Sequence, residues 1–135
     1  MKMLSKLANP KQRFVAATLV VAACFTIPYP GAAEPASPLR GKETFEKRCG
    51  GCHSLDHDKE GPRLRGVYGR MSGSVSSFNY STALKSARIS WDAESLDRWL
   101  TDPDKVVPDS DMAFHVEKAD ERRDIIAYLK DLSSK

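Results

Sequence analysis

Five consecutive residues, Cys49-Gly50-Gly51-Cys52-His53, carry the densest chemistry in this 135-residue chain. Two thiols and an imidazole at offsets of 0, 3 and 4 match the attachment site of a c-type haem. If the segment closes a helix, residues three and four apart share one face. Cys49 and Cys52 then add to the two haem vinyl groups as thioethers, and His53 stands next to the iron as proximal ligand. The two glycines keep bulk away from the porphyrin edge. A C-x-x-C pair also serves as a redox dithiol or as half of a zinc site. The dithiol reading wants a βαβ context, which is absent. For zinc, His57 supplies a nominal fourth ligand, and nothing else supports a zinc module. Haem attachment is the reading retained.

A low-spin haem iron wants a second strong axial ligand. The candidates are Met71, Met112, His57 and His115. His57 is only four residues from His53 and does not easily reach the opposite haem face. Met71 follows His53 by 18 residues, in Gly-Arg-Met-Ser-Gly. Met112 follows it by 59, in Pro108-Asp109-Ser110-Asp111-Met112-Ala113-Phe114, far enough to wrap over the distal side. A lone Met usually fills gaps in a core, but a Pro/Asp/Ser loop is an odd place for a core residue. Met112 is preferred, with His115 behind it. No acid/base pair stands beside an open coordination site, so no catalytic residue is assigned and no enzyme is expected.

The elements that must position these groups read as helices. Ser37 as N-cap and Pro38 as first residue start a helix. Gly41, Phe45 and Cys49 recur along it at four-residue steps, so it runs into the motif. Residues 54–80 have no strong period and are rich in Gly, Ser and Asp, a long loop that needs a surface to pack on. A short helical stretch is expected over Ser81 to Ala87, and a helix over about Asp92 to Thr101 with Leu96, Trp99 and Leu100 on one face. Asp102-Pro103 ends it, and residues 102–119 form a second loop. Ile125, Tyr128, Leu129 and Leu132 make an amphipathic last helix from about Asp120 to Leu132. No strand and no repeat is expected. A domain of about a hundred residues with long loops has a thin core, so the haem forms much of the apolar interior and the apo-chain folds poorly.

The first third carries a different signal. Lys2, Lys6, Lys11 and Arg13 precede an apolar run from Phe14 to Ile27, and Pro-Gly-Ala-Ala follows. That is the pattern of a secretory signal peptide, and the run is short for a membrane span. The organisation expected is a signal peptide over residues 1–33, a linker over 34–37 and one domain over 38–135. Cleavage falls after Ala33, or nearby at Ala32 or Ala36. The alternative is a retained anchor: Val21-Ala22-Ala23-Cys24 fits a lipobox, with Cys24 lipidated. Export agrees with a haem that is attached outside the bacterial cytoplasm. The chain's net charge of +3 also belongs to this leader, because residues 34–135 hold 17 bases against 18 acids. No nucleic-acid affinity follows from it.

From Pro38 to about Leu132 the chain resembles a class I c-type cytochrome, close to the mitochondrial type and its alphaproteobacterial relatives. Gly41-x3-Phe45-x3-Cys49 resembles the N-terminal helix, and Ile125-Ile126-Ala127-Tyr128-Leu129-Lys130 the terminal helix. Gly61-Pro62-x-Leu64-x-Gly66-x-x-Gly69-Arg70 resembles the loop on the proximal side, Phe78-Asn79-Tyr80-Ser81 and Ile89-Ser90-Trp91 the segments enclosing the propionates, and Pro108-x-x-x-Met112-x-Phe114 the ligand loop. The resemblance implies an all-α cytochrome c fold, with terminal helices packed together and loops wrapped around one covalent haem. It implies His53 and Met112 as iron ligands and a Pro62 carbonyl that holds the His53 imidazole. It makes Arg70, Tyr80 and Trp91 propionate partners, with Ser110 keeping a hydroxyl where a threonine is usual.

The resemblance further implies a one-electron carrier in the periplasm, working as a monomer in a respiratory or photosynthetic chain. Its partners are redox proteins: a cytochrome bc1-type donor, and a terminal oxidase or periplasmic reductase as acceptor. Beyond Ser110, three positions and one loop length depart from the pattern. Trp99 stands where a tyrosine donates to the methionine sulfur, so an indole N–H must do so from another position. Leu84 replaces a buried asparagine. Asp111 replaces the lysine before the ligand, and the loop after Phe114 is one residue shorter. Asp102, Asp104, Asp109, Asp111 and Glu117 cluster where the haem edge is exposed, so the mitochondrial lysine ring is not reproduced and the partner presents a less acidic face.

Overall fold

The computed structural model describes residues 34–134. The expected signal peptide of residues 1–33, with Cys24, lies outside them. Among these described residues five helices follow one another: α1 Pro38–Arg48, α2 Thr82–Ser86, α3 Ala93–Thr101, α4 Pro103–Val106 and α5 Ala119–Ser133. Among the described residues none is long and apolar enough to cross a membrane. No strand forms among them. An isolated antiparallel bridge joins Met71 to Ser90.

The expected starts hold. Ser37 caps α1 by accepting from the Arg40 N–H at 3.3 Å, with Pro38 behind it. Asp92 and Ser95 form a reciprocal capping box on α3. The region after α3 differs from the expected loop. Asp102 ends α3, but its side chain also caps α4, whose first residue is Pro103. An Asp-Pro pair is a start signal as well as a stop signal, and a single helical turn fits between the two.

The frame is the α1–α5 pair. Gly41 is buried where the two helices cross, and a Cβ there would run into the Asp124 carbonyl oxygen and lie 2.9 Å from the Tyr128 Cβ. Absence of a side chain is what permits the approach. One turn on, Phe45 meets Tyr128 edge-on at 5.7 Å. The buried Asp124 carboxylate accepts from the Ser37 N–H at 2.7 Å and from Arg40 Nε at 2.7 Å. Arg122 of α5, also buried, donates to the Val116 and Glu117 carbonyls and to Asp97 of α3. It ties α5 both to α3 and to the end of the segment that carries Met112. Phe45, Leu96, Trp99, Leu100, Ile125 and Leu129 form the centre of the core.

Candidate functional site

The motif does not extend α1. Cys49 is the C-cap, and the N–H groups of Cys49 and Gly50 both reach the Phe45 carbonyl, at 2.8 and 2.9 Å. The Cys52 and His53 N–H groups then both return to the Cys49 carbonyl, at 3.1 and 2.8 Å. The segment is therefore a separate tight turn following the helix rather than the helical continuation considered from its spacing. Two adjacent glycines, poor helix formers, sit where the ladder breaks. Cys49 and Cys52 form no disulfide. Burial pushes the Cys49 thiol up to about 11, against a smaller opposing pull from Arg48. A thiol held protonated is a poor redox nucleophile. His57 is turned to the Ser54 hydroxyl at 3.1 Å. Among the described residues no group of three or more His, Cys, Asp or Glu is placed to hold a metal ion. Neither the dithiol nor the zinc reading gains support.

His53 is fixed from two sides. Its Nδ1–H donates to the Pro62 carbonyl at 2.8 Å, which leaves Nε2 with a free lone pair. Gly61 lies against the ring: a Cβ there would collide with the imidazole, 2.7 Å from Nδ1 and from Nε2. Burial lowers the His53 pKa, opposed by the Pro62 bond, so the neutral, ligating form is favoured. The loop that carries Gly61 and Pro62 is sewn to the motif by Gly61 N–H to the Cys52 carbonyl, Leu64 N–H to Ser54 and Arg65 N–H to Leu55, at 2.8, 2.9 and 2.9 Å.

A cavity of about 560 Å³ opens beside the motif. Cys49, Cys52, His53, Pro62, Arg70, Tyr80, Trp91 and Met112 all line it, together with Phe45, Leu64, Val67, Leu84, Leu96 and Trp99. Arg70 and Trp91 are held side by side by the bridge region: Trp91 N–H donates to the Arg70 carbonyl at 2.9 Å and Gly69 N–H to the Trp91 carbonyl at 2.6 Å. Arg70 donates two terminal N–H groups to the Arg63 and Arg65 carbonyls, while its buried Nε has no partner. Burial pushes the guanidinium below its ordinary value, with only a smaller opposing pull from Tyr80 and Asp58. Burial likewise raises the Tyr80 phenol, opposed by a backbone bond at Val75. Ser110 is not among the lining residues, but its Oγ is also buried without a partner.

Met112 stands apart from the other candidate ligands. Trp99 Nε1–H donates to its sulfur at 3.2 Å, and the Trp99 ring leans on Trp91 at 5.3 Å. The indole therefore reaches the sulfur that the tyrosine of the resembling family reaches. Met71 is exposed and lies outside the cavity, and so does His115. Sequence reasoning missed Gly61 and Arg122 as positioning residues. The Gly61-Pro62 pair was the available signal for the first, whereas a buried arginine on an amphipathic helix gives none.

The residues suit a haem. The cavity volume lies in the range of small-molecule pockets, about 300–1,000 Å³, with mostly apolar walls. The orphaned Nε of Arg70, a residue of the cavity wall, is a polar atom that an acidic substituent would satisfy. Comparison with known proteins agrees. The Cytochrome c family model matches residues 39–133. A cytochrome c of Euglena viridis is 51% identical over 96 residues, covering 69% of this chain and 94% of that protein. Cytochrome c 2.1 of Caenorhabditis elegans is 43% identical over 99 residues, covering 71% and 89%. The solved structure of cytochrome cH from Methylobacterium extorquens superposes with a TM-score of 0.68 at 36% identity, covering 71% of this chain and 99% of that one. The chain belongs to the cytochrome c family: it is a class I c-type cytochrome, a haem-carrying electron carrier whose haem is attached through Cys49 and Cys52.

Proposed function

We propose that this chain is an exported one-electron shuttle whose iron is ligated by His53 and Met112. The haem, when bound, supplies a reversible ferric/ferrous couple. His53 presents Nε2 because Nδ1 is committed to Pro62. Met112 contributes a soft thioether, which raises the reduction potential, and Trp99 holds that sulfur in place. Arg70, Tyr80 and Trp91 in the cavity wall, with Ser110 outside it, would answer the propionates of a bound haem, and the apolar walls would exclude water. The observation that carries the proposal is the Trp99–Met112 hydrogen bond in the cavity that His53 also lines.

Residues 1–33 act as the leader that brings the domain of residues 38–135 to the periplasm. There it runs as a monomer between a bc1-type donor and a terminal oxidase or periplasmic reductase. The similarity to a bacterial cytochrome cH supports that location. The ferric holoprotein should show the weak far-red sulfur-to-iron band and a six-coordinate ferrous spectrum. A five-coordinate, high-spin spectrum contradicts the proposal. The mass of the exported protein should equal residues 34–135 plus one haem. Added acyl chains on Cys24 would replace the soluble shuttle by an anchored one.

A further inference from the structure

A second concavity, about 370 Å³, lies next to the haem cavity and is lined by Arg48, Ala113, Phe114, His115, Glu117 and Lys118. Arg48, Ala113 and Phe114 line both, so the two are continuous at the mouth. Phe114 is 45% exposed there, one of three large apolar side chains that stand out among the described residues. An exposed aromatic at the rim of a concavity is the usual anchor of an interface.

The charges around it are unequal. The cations are engaged: Arg48 and Lys118 both pair with Glu121, at 3.0 and 3.5 Å, and Lys105 pairs with Asp102 at 2.8 Å. Lys59 gives its ammonium to the Gly50 carbonyl, with the unpaired Glu60 beside it on the cavity wall. The acids are not engaged. Among the described residues the side chains of Asp104, Asp109, Asp111 and Glu117 form no ion pair and no hydrogen bond, and all four residues are exposed. Four unanswered carboxylates therefore flank Met112 and Phe114 in sequence, with Asp111 on the cavity wall itself.

We propose that this patch is the docking face for the redox partner, and that the partner is a protein with a lysine- or arginine-rich face and an apolar side chain that seats against Phe114. The proposal rests on the electron-carrier reading and adds the polarity of the encounter. A basic face is the complement that four free carboxylates select. A second copy of this chain brings the same acids and is repelled.

The test is stopped-flow oxidation of the ferrous holoprotein by two small reagents, cationic tris(phenanthroline)cobalt(III) and anionic ferricyanide, over a range of ionic strength. Residues 34–135 are close to neutral, with 17 bases and 18 acids, so the salt dependence reads the local patch. The cobalt rate should fall with added salt and the ferricyanide rate should rise. The double variant Asp111→Lys/Glu117→Lys should reverse both slopes and lower the cobalt rate about tenfold or more at low salt. Asp111→Asn/Glu117→Gln should fall between, and unchanged ferrous spectra check that both variants fold. Slopes of the opposite sign, or slopes indifferent to charge reversal, overturn the proposal. So does concentration-dependent dimerisation of the wild type. Failure of both reagents to oxidise the protein would instead strike the electron-carrier reading.

Discussion

The two walls of the haem cavity are built differently. On the His53 side, backbone hydrogen bonds at 2.8–2.9 Å sew residues 59–65 to the motif turn, and the imidazole is held by a carbonyl and wedged by a glycine. On the Met112 side, residues 108–115 have one weak backbone bond, Ser110 N–H to Val107 at 3.3 Å, before Val116 N–H reaches the Leu100 carbonyl. Met112 is held by one indole. Such a contrast in local bonding predicts that the strap carrying Met112 opens before the wall carrying His53 in hydrogen exchange.

The largest effect should come from the frame that both walls share. Asp124→Ala leaves the Ser37 N–H and Arg40 without their carboxylate and should cost about 2–3 kcal/mol, seen in urea unfolding, with both walls loosened alike in hydrogen exchange. The same group sets a pH dependence. Burial opposes ionisation of Asp124, but Arg40 and the Ser37 N–H outweigh it and hold the carboxyl below its ordinary value of 3.8. A depressed folded pKa means that the native state binds fewer protons. The stabilisation is therefore complete above about pH 4 and lost as pH falls through the folded value. Asp124→Asn should flatten that acid limb of the stability profile.

Gly61→Ala acts on one wall only. The added methyl must displace the His53 ring or the loop backbone, at a cost of about 1–3 kcal/mol, with a shifted reduction potential and an unchanged Met112 environment. Trp99→Phe acts on the other. Loss of the indole donor should cost about 0.5–1.5 kcal/mol, weaken the far-red band and speed carbon monoxide binding to the ferrous form. Proximal hydrogen exchange should stay as it was. The smallest effect has the opposite sign. Asp109 sits at φ 62 in the distal strap, a conformation that favours glycine. Asp109→Gly should stabilise the strap by less than about 1 kcal/mol, since glycine also gains freedom when unfolded, and slow the carbon monoxide reaction.

The same contrast explains what could be read before any fold was known. Helix starts depend on neighbours in sequence, so Ser37-Pro38 and Asp92 announced α1 and α3. The last helix, expected from Asp120 to Leu132, runs Ala119–Ser133 because its apolar spacing is local. Asp102-Pro103 was legible only as a stop, since α4 is too short for any periodicity. The eight expected site residues that line the cavity came from motif spacing and family resemblance together. Composition alone would not have brought Arg70 and Trp91 together, because their meeting depends on the bridge between residues 69–72 and 89–91. The contact of Gly61 with His53 and the exposed concavity beside Phe114 are products of chain crossing, which leaves no periodic trace. Positive φ at Asp109 and Arg88 was likewise hidden, because neither residue type announces it as glycine does.

We propose that His53 and Met112, the latter held by Trp99, would be the two ligands of the iron when haem is bound. The far-red sulfur-to-iron band of the ferric protein tests it through three variants. Met71→Ala and His115→Ala should keep the band, and Met112→Ala should lose it and turn five-coordinate. A band that survives in Met112→Ala, or disappears in Met71→Ala, would contradict the account.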